Sequence, residues 1–185
     1  MTTRVLVAGI GNIFFSDDGF GPEVVRRMLS ATEDAAPLPE GVRLVDYGIR
    51  GMHLAYDLLD GVDVLVIVDA LPGDGVPGTI TVLEVGPEDL GEGEFDAHGM
   101  NPVAVLGSLD ALGGSLPPTY VVGCTPADLD EGMGLSPAVA AAVDEAADTV
   151  RSLLLERVFS VSPQPSATVR SAKPIHGTEQ INQGG

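Results

Sequence analysis

Gly9-Ile10-Gly11-Asn12-Ile13-Phe14-Phe15-Ser16-Asp17-Asp18-Gly19-Phe20-Gly21 is the stretch on which the reading of the whole chain turns. The apolar run Val5-Leu6-Val7-Ala8 leads into it and Pro22 follows it. An apolar run closed by glycine reads as a buried strand, and proline at a first helical position reads as a helix start. The unit is therefore strand, glycine turn, helix, the opening of an α/β fold. It looks at first like a dinucleotide fingerprint, but Phe14 stands where that pattern needs its third glycine. Asp17 and Asp18 also place negative charge where a phosphate would need bare N–H groups. The loop suits a cation or acid–base chemistry better. Asp18, nearer the helix, is the candidate for that chemistry, and Asp17 is expected to face solvent.

With 185 residues the chain is long enough for one domain that buries roughly 70% of its unfolded surface. Twenty-seven Asp and Glu against nine Lys and Arg give a formal charge of −18, which argues against nucleic acid or an anionic membrane as partner. A lone cysteine, Cys124, excludes an internal disulfide and a thiolate zinc cage. No apolar run approaches the ~18 residues of a membrane span, and no signal-like segment opens the chain, so a cytoplasmic protein is expected.

Outward from the opening loop, Val24, Val25, Met28 and Leu29 give the first helix an apolar face. Val42 to Val45 predict a second strand, Met52 to Leu59 a short helix, and Val62 to Val68 a buried strand ending at Asp69. Thr79 to Val85 alternates like an edge or antiparallel strand. Gly86 to Ala97 is a glycine-rich acidic connection, and Asn101-Pro102 opens a predicted helix through Leu112. Tyr120 to Val122 is the last strand. Ser136 as cap and Pro137 start the longest helix, with Val139, Val143, Ala146, Val150 and Leu154 facing inward. Residues 1–158 form the expected single domain, and 159–185, rich in Ser, Pro, Gln and Gly, the expected disordered tail. The order β-α-β-α-β-β-α-β-α predicts a mostly parallel, five-stranded mixed sheet with helices on both faces.

Sheets of this kind hold ligands outside the carboxyl ends of their strands. Asp18, Asp69 and His98 fall there, on three separate loops, and two carboxylates with an imidazole suit a first-row divalent metal such as nickel or zinc. Each residue also has a plainer explanation: acids favour turns and helix starts, and a loop histidine can simply bond to backbone. His53 lies within a helix and His176 in the tail, so neither competes. Cys124 ends a strand with no base beside it and reads as a buried structural thiol. Ser136 lacks the setting of a nucleophile and reads as a cap.

Together these segments resemble the [NiFe]-hydrogenase maturation proteases. The resemblance rests on Gly9-Ile10-Gly11-Asn12 with Asp17-Asp18-Gly19-Phe20-Gly21, on Asp46-Tyr47-Gly48 with Gly51, and on Val68-Asp69-Ala70. It continues through His98-Gly99-Met100, Gly123-Cys124-Thr125-Pro126 and Gly132-Met133-Gly134-Leu135-Ser136-Pro137, in family order from Val5 to about Leu155. It implies a three-layer α/β/α sandwich of the phosphorylase/hydrolase-like kind. The implied activity is that of an endopeptidase which removes the C-terminal extension of the hydrogenase large-subunit precursor after nickel insertion. Asp18, Asp69 and His98 become the nickel-contacting residues. Asp18 and Asp69 are the catalytic candidates, either of which could be the general base on water. Asn12, Gly48 and Gly51 are expected to border the substrate. Ile49 stands where many members carry threonine, which leaves open the hydrogenase served. Nickel would arrive on the substrate, as a catalyst or as a recognition handle, which is compatible with an enzyme that keeps no permanently bound metal. The family is often grouped with aspartic peptidases, and a monomer is expected. Two rivals stand beside this reading: a non-catalytic metal-sensing chaperone and a nucleotide-dependent Rossmann-type enzyme.

Overall fold

The computed structural model describes residues 2–30, 37–86, 106–107 and 109–160. Five strands, β1 (Val5–Ile10), β2 (Val42–Gly48), β3 (Val64–Ala70), β4 (Ile80–Val85) and β5 (Thr119–Cys124), form one sheet in the order β2-β1-β3-β5-β4. All neighbours are parallel except β4, which runs antiparallel along β5 at the edge. β4 follows β3 through a short Pro/Gly loop, and it skips one position to lie outside β5. Three α-helices, α1 (Phe20–Leu29), α2 (Gly51–Leu59) and α3 (Pro137–Leu153), accompany the sheet, with 3₁₀ turns at Ser16–Gly19 and Asp110–Leu112 and a π-helical turn, Leu154–Val158, continuing α3.

The period-two alternation of the strands sorts their side chains into two cores. Val5, Val7, Val66, Val68, Val122 and Cys124 pack under α1 and α3. Leu6, Ala8, Ile10, Leu65, Ile67 and Val121 pack on the other face with Leu54, Ala55 and Leu58 of α2, and with Leu106 and Leu109. The result is a three-layer α/β/α sandwich. Burying each such aliphatic side chain contributes about 2 kcal/mol, and the sheet so anchored is the frame that holds its loops. All five residues expected to face inward from the longest helix and its continuation are buried. Among the described residues, no helix is long and apolar enough to cross a membrane.

Some boundaries differ from expectation, for physical reasons. β3 runs through Asp69 to Ala70, because Asp69 and Ala70 still pair with Gly123 and Cys124 of β5. β2 extends to Gly48, which enters the ladder through an irregularity opposite Ile10. The first helix begins at Phe20 rather than Pro22, directly after a tight 3₁₀ turn over Ser16–Gly19. Of the helix expected from Pro102 to Leu112, residues 102–105 and 108 lie outside the described residues, and Asp110–Leu112 form a single 3₁₀ turn. The acidic connection from residue 87 onward, His98, and the tail from residue 161 also lie outside them. The start of the expected tail is packed: Phe159 rests against the α1/α3 core.

Candidate active site

The glycines of the opening loop exist because backbone meets backbone there. A Cβ on Gly21 would sit 2.2 Å from the carbonyl oxygens of both Ile10 and Val68, and one on Gly9 would sit 2.6 Å from the Gly21 carbonyl oxygen. The first turn of α1 therefore rests directly on the ends of β1 and β3. Gly11 is held at φ +135°, with the Asp18 carbonyl oxygen 1.8 Å from where its Cβ would be. None of these approaches is open to a residue with a side chain. The loop that looked like half a phosphate cradle is a device for folding the 12–19 turn back onto the strand ends.

β1 and β3 are adjacent, and the chain leaves β1 toward β2 on one side and β3 toward β5 on the other. That is the switch point at which open α/β sheets bind ligands. Asp69 stands at the end of β3 and accepts the Ala70 N–H at Oδ1, 2.8 Å. Asp18, on the turn after β1, accepts the Asn12 N–H at Oδ2, 2.6 Å. Burial pushes the Asp69 carboxyl well above the usual carboxylate range, the nearby Asp18 charge adds to that, and the Ala70 N–H opposes it only in part. A buried carboxyl pushed up beside a second acid is a recurrent feature of hydrolytic sites, and a divalent cation at the pair would oppose that upward push.

Asp17 is a correction to the sequence reading. It is fully buried, with 0% of its surface exposed. Its Oδ2 accepts the N–H of Ala127 (2.8 Å), the N–H of Asp128 (3.0 Å) and the Ser136 hydroxyl (2.9 Å), while Oδ1 accepts the Ser136 N–H (2.6 Å). Burial alone would raise the Asp17 carboxyl; these donors outweigh it and hold it below its ordinary value. Ser136 does precede α3, but its hydroxyl serves Asp17 and makes no side-chain cap. The signal for this clamp was present in the acids of the opening loop and in the Gly132-to-Pro137 motif. Only folding brings them together, because 110 to 119 residues separate the partners.

The other expected residues occupy the same end of the sheet. Asn12 is half-buried, and its side-chain oxygen accepts the Phe14 N–H at 3.0 Å. Gly48, at φ +54°, offers its carbonyl oxygen to the Gly11 N–H at 3.0 Å. Gly51 is the buried first residue of α2. Cys124 is buried, its thiol pushed up to about 11 by burial and then by Asp17, as suits an inert structural cysteine. Exposed apolar side chains, Ile13, Phe14, Phe15 and Met133, crown the joined loops. Beside them a groove of about 610 Å³ runs between α1 and α3, lined in part by Ile13, Pro22, Met133 and Leu135. Among the described residues, no three His, Cys, Asp or Glu side chains are grouped to hold a metal. The structure thus brings Asp18 and Asp69 together, and His98 lies outside what it describes.

An open, mostly parallel sheet carrying an acid pair at its switch point is the build of an α/β enzyme that works with carboxylates, where a nucleotide binder would present bare amides. Residues 23–153 match the family described as hydrogenase maturation protease. The Hydrogenase 2 maturation protease of Escherichia coli (strain K12) is 32% identical over 87% of this chain and 96% of its own length. The hydrogenase maturating endopeptidase HybD from E. coli superposes with a TM-score of 0.69 at 30% identity, over 83% of this chain and 93% of that one. The [NiFe] hydrogenase maturation protease HybD from Thermococcus kodakarensis gives 0.63 at 26% identity, over 82% and 99%. The chain belongs to the hydrogenase maturation protease family.

Proposed function

We propose that this protease removes the C-terminal extension of a [NiFe]-hydrogenase large-subunit precursor once nickel has been inserted, with Asp18 and Asp69 at the point of cleavage. The observation that carries the reading is the acid pair: two carboxylates at the switch point, each with a single hydrogen-bond donor among the described residues, and one of them displaced toward its protonated form. Carboxylate oxygens left with spare acceptor capacity are available to a cation or a water. The nickel belongs to the substrate. Asp18 and Asp69, with His98 as the third donor implied by the resemblance, match the carboxylate and imidazole ligands that nickel accepts.

In this reading the substrate-borne ion docks at the pair and displaces the Asp69 proton, since a ligating carboxylate must be ionised. Docking sets the scissile peptide over the site. A carboxylate oxygen, Asp18 or Asp69, then takes the proton of the attacking water. Exposed Ile13, Phe14, Phe15 and Met133 offer apolar contact to the precursor polypeptide at the rim. The setting is the cytoplasm, where such a precursor would be met as a folded, metal-bearing chain.

The test is incubation with nickel-loaded and nickel-free precursor, followed by mass spectrometry of the product. Loss of the C-terminal extension from the loaded form alone is expected. Equal cleavage of both forms would remove the nickel-dependent part of the reading, and no cleavage of either would favour a non-catalytic chaperone.

A further inference from the structure

The clamp around Asp17 does more than hold two loops together. Asp17 and Asp18 are successive residues of one 3₁₀ turn, in which each step rotates the side chain by about 120°. Fixing the direction of one therefore fixes the direction of the next. Asp17 is turned fully into the protein, where four donors from residues 127, 128 and 136 saturate it. Asp18 is thereby turned toward Asn12 and the end of β3.

The surrounding backbone strengthens that link. Asp17 N–H donates to the Asp128 carbonyl (3.0 Å), Ser16 N–H to the Gly132 carbonyl (2.8 Å) and Gly132 N–H to the Phe14 carbonyl (2.9 Å). The Ser16 hydroxyl adds a bond to the Asp130 carbonyl at 3.1 Å. Ser16 itself sits at φ 47°, the one non-glycine residue with positive φ among the described residues. A left-handed serine persists only where its surroundings over-determine it, and here both loops do so.

We propose that Asp17 is a positioning residue: its buried carboxylate, held by the 127–136 loop, sets the rotation of the 3₁₀ turn and so aims Asp18 at the site it shares with Asp69. This rests on the proteolytic reading for its kinetic consequence but not for its geometry. A misplacement of ~1 Å at a reacting group can cost on the order of 10²-fold in rate, so an error in the clamp is transmitted directly to cleavage.

The experiment uses the full chain with Asp17→Asn and Asp17→Glu. Amide hydrogen exchange is read at Ala127, Asp128 and Ser136, which report the clamp, and at Asn12, whose N–H reports where the Asp18 carboxylate sits. Steady-state cleavage of nickel-loaded precursor over a range of precursor concentrations is measured at a temperature where each variant is fully folded. Asp17→Asn puts an NH₂ group among donors; it is expected to speed exchange at all four amides at least tenfold while Val66, Ile67 and Val68 keep their protection. Its kcat is expected to fall roughly 10- to 100-fold with little change in KM. Asp17→Glu keeps the charge on a longer stem and is the fallback if the amide variant does not fold; it is expected to fold and to cleave about tenfold slower. Opening of the three clamp amides with Asn12 protection and kcat unchanged would overturn the proposal, as would wild-type kcat in Asp17→Glu. If the wild-type chain leaves the precursor intact, the proteolytic reading fails on its own, and the Asn12 amide still decides whether Asp17 aims Asp18.

Discussion

Asp17 and Asp18 share a peptide bond and a residue type, yet they belong to two opposite regions of the molecule. On one side, Asp17 has four donors and no exposed surface, and it stitches residues 14–17 to residues 127–136. On the other, Asp18 and Asp69 accept one backbone N–H each among the described residues, and burial together with the nearby Asp18 charge pushes Asp69 toward its protonated form. A saturated carboxylate is a structural part, with nothing left to offer a ligand. An undersatisfied pair costs stability and keeps acceptor capacity for a cation, a water or a peptide. The difference separates what builds the site from what works in it, and each side can be broken separately.

The largest effect is expected on the working side. Asp69→Asn should reduce cleavage of nickel-loaded precursor by at least ~10²-fold, and it should also raise the melting temperature at neutral pH. The sign follows from linkage: a carboxyl whose folded value is raised binds its proton more tightly in the native state, so native stability falls as pH rises through that value. The penalty accrues as pH climbs from the ordinary carboxylate value toward the raised one, and an amide, which does not titrate, escapes it. A variant that loses both cleavage and melting temperature would show Asp69 to be structural.

On the building side, Gly21→Ala should cost about 3 kcal/mol, because its methyl group would meet two carbonyl oxygens at 2.2 Å; the urea midpoint measures this. Asp17 behaves oppositely to Asp69 in acid. Its folded value is depressed, so its stabilisation is complete above the ordinary value of about 4 and is lost as pH falls through the folded one. Asp17→Asn should lower stability at neutral pH by about 2 kcal/mol, and the difference from wild type should shrink below pH 4 in acid-unfolding curves. The smallest effect is expected at the rim, where Phe14→Ser and Met133→Ser should raise KM a few-fold with kcat unchanged, both side chains being exposed in the native chain.

Much of the sheet was legible because its signals are local. The apolar run that becomes a strand from Val64, the edge strand after Thr79, and the apolar stripe of the last helix are each carried by residues close together in the chain, and each forms where its signal lies, although the first starts two residues later than Val62. The acid pair was legible for a topological reason: Asp18 follows β1, Asp69 stands at the end of the adjacent parallel β3, and the ends of neighbouring parallel strands share an edge. Asp17 was not. An aspartate in a turn before a helix has the same local signature whether it meets water or four buried donors, and its donors come from beyond residue 126. The Ser136 hydroxyl was misread in the same way: a serine before a proline-opened helix is the pattern of a cap, and only the fold supplies Asp17 as the better acceptor.

The division between the two acids is tested most directly by Asp18→Asn, assayed with nickel-loaded precursor by intact-protein mass spectrometry alongside a thermal melt. The Asn12 N–H keeps an acceptor in the amide oxygen, so the account predicts a melting temperature within a few degrees of wild type and no loss of the C-terminal extension. Wild-type processing by Asp18→Asn would contradict it, because the acid left free by the clamp would then have no part in the cut.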